Sequence, residues 1–218
     1  MPLRAGAGRM EVHLNLGCGS VTPAGWINVD YSLGSRLGRI PALGWLVRKL
    51  KLFRIEWNPQ IVVLDLRKPF RWEEGSVDAI YCSHFLEHLR KPEGERFLKE
   101  CHRVLREGGV LRILVPDLRK IVDEYIEGGC GAPEFLDRLG VLYDKKKTLF
   151  GFDLSMLVEF PHRCMYDQES LRKGMEDAGF SAEAKGAFES RIAGIDSVER
   201  RDRTEGAVIV EGIKSLRP

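Results

Sequence analysis

The chain is 218 residues long, with 44% hydrophobic residues, 30% charged residues and a net charge of +2, a balance typical of globular proteins. This length suits one domain with a substantial core, so we expect residues 1–218 to form a single domain. A net charge so close to zero excludes a general attraction to nucleic acid or to an anionic membrane. Nucleic acid is therefore not an expected partner, and any such signal must be local.

The cysteines and the amino-terminal residues predict a cytoplasmic protein. The five cysteines are scattered, odd in number and without a C-x-x-C pair, which argues against a disulfide framework and against a zinc ribbon. We therefore assign no metal ligands and expect a reducing compartment. Residues 1–10 lack the apolar run of a signal peptide, and no stretch approaches the about 20 apolar residues of a membrane-spanning helix.

The first predicted strand covers residues 12–16 and leads into a turn that contains Gly17, Cys18 and Gly19. Its alternating apolar residues are typical of a buried strand, and glycines at its end allow a tight bend of the backbone. Ligands of open α/β sheets bind outside the carboxyl ends of the strands. This turn, with Asn15 just before it, is therefore the first candidate binding element.

A short second strand over residues 26–30 ends in an acidic residue, Asp30. A full crossover helix does not fit between Gly19 and this strand. A dinucleotide fingerprint needs a third glycine where Thr22 stands and an acidic residue about 20 positions further on. Here position 22 is a threonine and Asp30 comes too early, and both differences weaken the interpretation as a nicotinamide or flavin site.

Residues 31–60 form a basic insertion. Six arginines and lysines lie between residues 36 and 54, interleaved with apolar residues, before Glu56 brings the first negative charge. The sequence favours a helical insertion that packs across the sheet with a solvated basic face. Peripheral contact with an anionic membrane and contact with a phosphate-rich or nucleic-acid substrate stay open as alternatives.

Three apolar runs predict further buried strands, at residues 61–66, 77–82 and 110–115. A helix fits residues 94–105, and the glycines at 108–109 are expected to end it. Strands that alternate with helices indicate βαβ units, so we predict a parallel sheet.

Polar side chains follow the carboxyl ends of these strands. Asp30 ends the second strand, Asp65 lies in the third, Ser83 and His84 follow the fourth, and Asp117 follows the fifth. Because the carboxyl ends of parallel strands meet at one edge of a sheet, we expect these groups to line one crevice with the glycine turn.

The rest of the chain predicts a cover for this crevice and the end of the sheet. Residues 118–165 are expected to form a helical insertion that acts as a lid. Asp167 is expected to cap a helix over residues 168–178. The remaining elements are strands over residues 181–188 and 207–213 and a solvated charged loop over residues 199–205.

Several motifs are informative as an ordered set. They are L-N-L-G-C-G at 14–19, the Asp30 strand end, L-D-L at 64–66, D-A-I-Y-C-S-H-F-L-E-H-L at 78–89 and R-V-L-R-E-G-G-V-L-R-I-L-V-P-D at 103–117. In this order they resemble the Rossmann-like, class I S-adenosylmethionine-dependent methyltransferases. The resemblance implies a doubly wound α/β fold whose seven-stranded sheet is mostly parallel with an antiparallel last strand. It also implies S-adenosyl-L-methionine as the cofactor.

The resemblance assigns cofactor contacts to the residues at the strand ends. The glycines would let the backbone approach the cofactor, and Asp30 would accept hydrogen bonds from the ribose hydroxyls. Asp65 would face the adenine amino group with the Leu66 amide nearby, and Ser83 and His84 would line the methionine end. The full set is Asn15, Gly17, Cys18, Gly19, Asp30, Asp65, Leu66, Ser83 and His84.

Catalysis within this family requires an aligned acceptor and the exclusion of water, because the methyl group on a sulfonium is already activated. A hydroxyl acceptor must also lose a proton, and a histidine is a suitable base near neutral pH. His84 at the crevice and His162 in the lid are the candidates for this base. Asp117 and Tyr166 are candidates for contact with the acceptor.

The acceptor is predicted to be a small molecule, a sugar or a lipid-linked compound, methylated on oxygen or nitrogen. The chain lacks an N-P-P-Y motif after the fourth strand and a Pro-Cys pair, so methylation of adenine N6, glutamine amide or cytosine C5 is not indicated. The segment H-R-C-M-Y-D-Q-E-S-L at 162–171 resembles small bacterial members linked to glycan biosynthesis. The basic segment 36–54 would suit a phosphorylated or membrane-anchored sugar.

Two alternatives come from other classes of protein. The stretch His84–His88 matches the H-x-x-E-H pattern, in which two histidines one helical turn apart hold zinc in a hydrolase. A non-catalytic domain that binds the nucleoside without transferring a methyl group is the second alternative.

Overall fold

The computed structural model describes residues 10–32, 58–141 and 160–215, together with Arg36 and the residue pairs 148–149 and 152–153. The basic segment 36–54 therefore lies outside the described residues except for Arg36. Within the lid predicted over 118–165, residues 142–159 also lie outside them, except for the two described pairs. No described helix is long and apolar enough to cross a membrane.

The described residues form nine strands in two sheets. In chain order they are β1 His13–Leu16, β2 Trp26–Asp30, β3 Val62–Val63, β4 Val77–Ser83, β5 Leu105–Pro116, β6 Thr148–Leu149, β7 Phe152–Asp153, β8 Phe180–Ala184 and β9 Ala207–Lys214. Strands β6 and β7 pair only with each other, and the other seven form one sheet in the order β3-β2-β1-β4-β5-β9-β8.

The large sheet is parallel from β3 to β5, and β9 runs antiparallel to both of its neighbours. In the register at the centre of the sheet, Leu16 lies between Val29 and Cys82. This arrangement confirms the predicted α/β fold with a seven-stranded, mostly parallel sheet and an antiparallel last strand. It also brings the carboxyl ends of β1, β2, β4 and β5 to one edge.

The helices within the described ranges are α1 Lys91–Val104, α2 Leu118–Ile126, α3 Ala132–Leu139, α4 Gln168–Asp177 and α5 Arg201–Thr204, and 3₁₀ turns cover Leu86–His88 and Ile195–Ser197. Helices α1 and α4 cover one face of the sheet and bury Phe97 and Met175 in the larger core cluster. On the other face, Ile192, Ile195 and Val198 pack against the sheet from an irregular segment.

A fully buried arginine joins this irregular segment to the sheet. The guanidinium of Arg112 on β5 pairs with both oxygens of Glu199 at 2.6 and 2.9 Å and with Glu211 at 3.4 Å. It also donates to the backbone oxygens of Gly186 and Glu189. These five hydrogen bonds use all five donors of the side chain, which is the condition under which a buried charge is tolerated.

Several predicted boundaries are wrong. The helix predicted over 94–105 starts at Lys91 and ends at Val104, because Leu105 has an extended backbone and already begins β5. The glycines at 108–109 therefore lie inside β5 instead of ending the helix. The third strand is limited to Val62–Val63, and the strand predicted over 181–188 ends at Ala184. The loop predicted over 199–205 contains α5, and Glu199 is buried rather than solvated because it pairs with Arg112.

Candidate active site

The turn after β1 holds the carboxylate of Asp30 in a fixed orientation. The Gly19 amide donates to Asp30 Oδ2 at 3.1 Å, and the Ser32 amide donates to Oδ1 at 2.7 Å. Each oxygen keeps a further lone pair that can accept a ribose hydroxyl. Gly19 has φ +53°, and apart from its chain neighbours no atom of the described residues lies within 4 Å of a β-carbon built there, so the space beside it is open. The chain thus fits a nucleoside at this position.

Gly17 must be a glycine because a side chain there would collide with Phe85. Its φ is +69°, and a β-carbon there would lie 2.7 Å from the β-carbon of Phe85. Phe85 packs against Phe97, with ring centroids 5.4 Å apart, and Phe97 packs against Phe70 at 5.9 Å. The missing side chain of Gly17 therefore lets the turn rest directly on an aromatic cluster.

The side chains of Asn15 and Cys18, both predicted to bind the cofactor, are turned into the protein. Asn15 Nδ2 donates to the Val21 carbonyl at 2.8 Å and to Asn28 Oδ1 at 2.9 Å. Burial, with a smaller contribution from the Asp30 charge, raises the pKa of the Cys18 thiol to about 12. In this structure both side chains therefore pack beneath the turn, on its protein side, and stabilise it.

Asp65 and Leu66, the predicted adenine contacts, follow β3. The Asp65 carboxylate accepts from Arg67 Nε at 2.8 Å and from Arg67 Nη2 at 2.9 Å. The hydrogen bond with Arg67 lowers the pKa of Asp65 below its ordinary value. Leu66 is buried, so its contribution to a ligand would come from its backbone. These residues reach the site because the Leu64 amide donates to the Asp30 carbonyl at 3.3 Å.

Ser83 and His84 lie where β4 leaves the sheet. Ser83 pairs with Leu114 as the last residue of β4, and His84 has an unusual φ of +51°. His84 Nε2 lies 2.9 Å from the Arg203 carbonyl, and Nδ1 lies 3.4 Å from Glu87 Oε1. Burial lowers the pKa of His84, but the interactions with Glu87 and the Arg203 carbonyl outweigh it and raise the pKa overall. With both ring nitrogens engaged, His84 is poorly placed to take a proton from an acceptor.

His162 lies in a strap over the same edge, here defined as residues 160–166. Its backbone amide donates to the Gly140 carbonyl at 2.9 Å, and its Nδ1 lies 2.8 Å from the Leu139 carbonyl. Burial lowers the pKa of His162, with the Glu87 charge opposing the shift. The neutral ring therefore carries its proton on Nδ1, and the lone pair of Nε2 is available.

Asp117 and Tyr166, the predicted acceptor contacts, are paired through the backbone. Asp117 caps α2 by accepting from the Arg119 amide at 3.0 Å, and the Leu118 amide donates to the Tyr166 carbonyl at 2.9 Å. Burial raises the pKa of the Tyr166 hydroxyl above its ordinary value. This hydroxyl lies beside Gly94, 3.2 Å from the position of a β-carbon there.

The strap brings together three residues that were not predicted as one group. Glu87, His88 and His162 each offer a ligand atom, and these atoms lie within 4.8 Å of one another. The Glu87 carbonyl fixes the strap by accepting from the amides of Arg163 at 2.7 Å and Cys164 at 3.1 Å. The E-H pair after β4 was a signal for part of this group, but no local pattern indicates that His162 joins it.

The hydrolase interpretation of the same stretch fails on local geometry. It needs His84 and His88 one α-helical turn apart, whereas Leu86–His88 is a single 3₁₀ turn and His84 precedes it. His88 instead faces His162, with ring centroids 5.2 Å apart.

A separate cavity of about 340 Å³ opens at the opposite, amino-terminal edge of the sheet, beside His13, Asp78 and Arg106. Asp78 is paired with Arg106 at 2.5 Å and accepts from the Val12 amide at 2.8 Å. These groups hold the entry of β1 against β4, and the cavity lies away from the strand-end residues.

Comparison with known proteins gives a family match over part of the chain. Residues 14–113 match the profile of a family described as a methyltransferase domain, which covers the chain from β1 into β5. No functionally curated protein matches the chain.

Solved structures with the same fold are distant in sequence. One chain of the complex between the Haloferax volcanii Trm112 methyltransferase activator and a methyltransferase superposes with a TM-score of 0.50 at 14% identity, over 99% of this chain and 86% of that chain. The YcgJ protein from Bacillus subtilis gives 0.50 at 12% identity, over 97% and 95%. A Burkholderia thailandensis 1,6-didemethyltoxoflavin-N1-methyltransferase, with bound 1,6-didemethyltoxoflavin and S-adenosylhomocysteine, gives 0.49 at 14% identity, over 95% and 72%. Likeness at these identities shows the fold alone.

Proposed function

We propose that this chain, an S-adenosylmethionine-dependent methyltransferase with the class I fold, transfers the methyl group to a hydroxyl or amine of a small-molecule, sugar or lipid-linked acceptor. The observation that carries the proposal is the contact of the Gly19 amide with Asp30 at 3.1 Å beside open space. This oriented carboxylate supports a nucleoside site at the edge that also holds His162 of the strap and His84 at the β4 exit.

Different residues around the site orient the cofactor and exclude water. Bound S-adenosylmethionine supplies a methyl group that its sulfonium already activates. Asp30 orients the cofactor by accepting hydrogen bonds from its ribose. The glycine turn that holds this carboxylate rests on the aromatic cluster at Gly17. The strap covers the edge and restricts water, because it is anchored at both Glu87 and Gly140.

His162 is the side chain best placed to act as a base on the acceptor. Its Nδ1 is held by the Leu139 carbonyl at 2.8 Å, which leaves the lone pair of Nε2 to take a proton from a hydroxyl or ammonium group. His84 positions the β4 exit through Glu87 and the Arg203 carbonyl. Asp117 and Tyr166 remain the proposed boundary of the acceptor pocket.

A sugar, phosphorylated or attached to a lipid, is the acceptor class that the sequence favours within this proposal. Its support is the resemblance of residues 162–171 to members linked to glycan biosynthesis, together with the basic segment 36–54. A cluster of arginine and lysine side chains suits a phosphate or an anionic membrane surface.

Calorimetric titration with S-adenosylmethionine and with S-adenosylhomocysteine tests the cofactor site. We expect the parent protein to bind both, and Asp30→Ala to weaken each by at least about tenfold, since hydrogen bonds to a charged group contribute roughly 1.5–3 kcal/mol. Asp177→Ala is the matched control, because this exposed carboxylate on α4 pairs with Lys173 far from the turn. Equal affinity of Asp30→Ala and the parent would contradict the proposed role of Asp30.

Transfer of a radiolabelled methyl group tests the acceptor class. Nucleotide sugars, glycolipids, small amines, a protein lysate and bulk RNA are offered to the enzyme in parallel. Labelling of a sugar-containing compound is the expected result, and labelling confined to RNA or protein would overturn the proposed acceptor class.

A further inference from the structure

The cluster of Glu87, His88 and His162 has the arrangement of a metal site. Its ligand atoms lie within 4.8 Å of one another although the β4 exit and the strap are far apart in sequence. The strap is held in place by hydrogen bonds of its own backbone to Glu87 and Gly140, so the three side chains meet without needing an ion to assemble them.

The two imidazole rings are oriented by backbone carbonyls. His88 Nδ1 lies 3.2 Å from the Pro161 carbonyl, and His162 Nδ1 lies 2.8 Å from the Leu139 carbonyl. A carbonyl only accepts, so each Nδ1 carries the ring proton and each Nε2 has a free lone pair. Metal-binding histidines typically have this second hydrogen bond, which fixes the tautomer and the direction of the ring.

Glu87 provides an independent indication of a cation site. Its side chain is 1% exposed, and among the described residues neither carboxylate oxygen accepts a hydrogen bond. Among the described residues, its ion-pair contacts are a long one with His84 Nδ1 at 3.4 Å and one with His88 Nε2 at 4.0 Å. A buried carboxylate that accepts no hydrogen bond and has only these long contacts is costly, and a bound cation between it and the two lone pairs would reduce that cost.

We propose that Glu87, His88 and His162 bind one divalent transition-metal ion of the zinc type. Two imidazole nitrogens and one carboxylate oxygen are a ligand set that suits zinc and its neighbours in the first transition series. Magnesium and calcium prefer sites built from oxygen ligands and are expected to bind much more weakly.

The position of this ion gives it a role that rests on the proposed function. Three protein ligands leave at least one coordination position open, as in catalytic zinc sites. With the ion bound, Nε2 of His162 is a ligand and the ion takes over the role of the base. The oxygen of a hydroxyl acceptor bound at the open position would have a lowered pKa and lose its proton to solvent. Its electron pair then forms the new oxygen–carbon bond while the carbon–sulfur bond breaks and its electron pair returns to sulfur. Acceptors with a hydroxyl are thereby favoured over amines.

Metal binding is measured on the full chain after treatment with a chelator. Zinc affinity is determined by competition with a chromophoric chelator, and cobalt is added separately because its visible absorption reports nitrogen and oxygen ligands. We expect one ion per chain for each metal, and no competition by magnesium at the same concentration. A parent protein that binds neither zinc nor cobalt would overturn the proposal.

The variants remove one ligand atom while keeping the second hydrogen bond. His162→Asn and His88→Asn retain a side-chain amide that can donate to the Leu139 or Pro161 carbonyl, but they lack Nε2. We expect each to weaken zinc binding by at least about tenfold, and Glu87→Gln to do the same while it keeps the side-chain shape. His13→Asn is the matched control, since this histidine lies at the opposite edge of the sheet and pairs with Glu11.

The double variant His88→Asn with His162→Asn gives the decisive test. If it is folded by circular dichroism and still binds zinc as tightly as the parent, the proposed site is wrong. Calorimetry with S-adenosylmethionine on the metal-free parent separates this failure from a failure of the proposed function. Retained cofactor binding without a metal site would refute only the ion. Zinc binding without cofactor binding would refute only the proposed cofactor site.

Discussion

Gly17 and Gly19 share a left-handed backbone conformation but differ in their surroundings. A β-carbon at Gly17 would meet Phe85, whereas the space at Gly19 is open. We expect Gly19→Ala to cost about 1–2 kcal/mol of unfolding free energy from the backbone alone. Gly17→Ala is expected to cost about 2–4 kcal/mol, because overpacking adds to the same backbone strain. Urea unfolding of the two variants measures the difference, and equal losses would contradict the contact with Phe85.

At the residue scale, the sequence could place polar groups at strand ends but could not show what those groups touch. Asp30 and Gly19 were predicted as neighbours because parallel strands end at one edge, and the structure brings them into contact. The partnership of Asp65 with Arg67 and the inward direction of Asn15 depend on side-chain packing that no periodic pattern encodes. His162 reaches Glu87 only through the path of the strap, which is a tertiary contact.

At the scale of elements, α1 is tied to the segment before β4 by one carboxylate. Glu100 accepts from the Phe70 amide at 2.7 Å and pairs with Arg103 at 2.8 Å, and Arg103 donates to the Phe70 and Trp72 carbonyls. The hydrogen bond with Arg103 is the largest cause that lowers the pKa of Glu100 below its ordinary value of 4.5. The aromatic cluster under the glycine turn therefore depends partly on this charge.

The effect of Glu100 on stability should depend on pH. Its pKa is lower in the folded protein than in the unfolded chain, so its contribution is present above about pH 4.5 and is lost as the pH falls through the folded pKa. We expect Glu100→Gln to lower the unfolding free energy by about 1 kcal/mol or less at pH 7, since the group is partly solvated. The difference from the parent should shrink below pH 4. Urea midpoints at both pH values measure it.

Glu95→Gln is the control for this experiment, because Glu95 is an exposed carboxylate on the same helix. A deficit of Glu100→Gln that stays constant from pH 7 to pH 3 would show that the carboxylate charge is not what ties α1 to this segment.

Elements with strong local signals were predictable, and those shaped by neighbours were not. Helix α4 follows from Asp167, whose side chain accepts from the Ser170 amide, and strand β4 follows from its continuous apolar run. The bounds of helix α3 were not predicted within the helical insertion expected over 118–165, because its start at Ala132 follows a glycine-rich stretch with no side-chain cap. Strand β3 is shorter than its apolar run because pairing with β2 ends after two residues.

At the scale of the whole molecule, the buried ion pair of Arg112 and Glu199 joins the middle of the sheet to the carboxyl-terminal part of the chain. Removal of one partner leaves an uncompensated buried charge, which costs about 3–5 kcal/mol. We therefore expect Glu199→Ala to lower the unfolding free energy by this amount. Glu183→Ala, in an exposed pair with Lys185 and Arg191, should change it by less than about 1 kcal/mol. Similar urea midpoints for the two variants would contradict the energetic role of the buried pair.

The position of Arg112 also has a consequence for the order in which the protein can fold as it is synthesised. Arg112 precedes its partner Glu199 by 87 residues and Glu211 by 99 residues. While the ribosome is still making the segment between them, the guanidinium has neither counter-charge, and closing the sheet around it would bury a lone cation. We therefore expect β5 of the nascent chain to stay exposed to solvent until β9, which carries Glu211, has emerged. The edge that carries the proposed cofactor site is translated before Glu199 and Glu211, the residues with which its sheet closes.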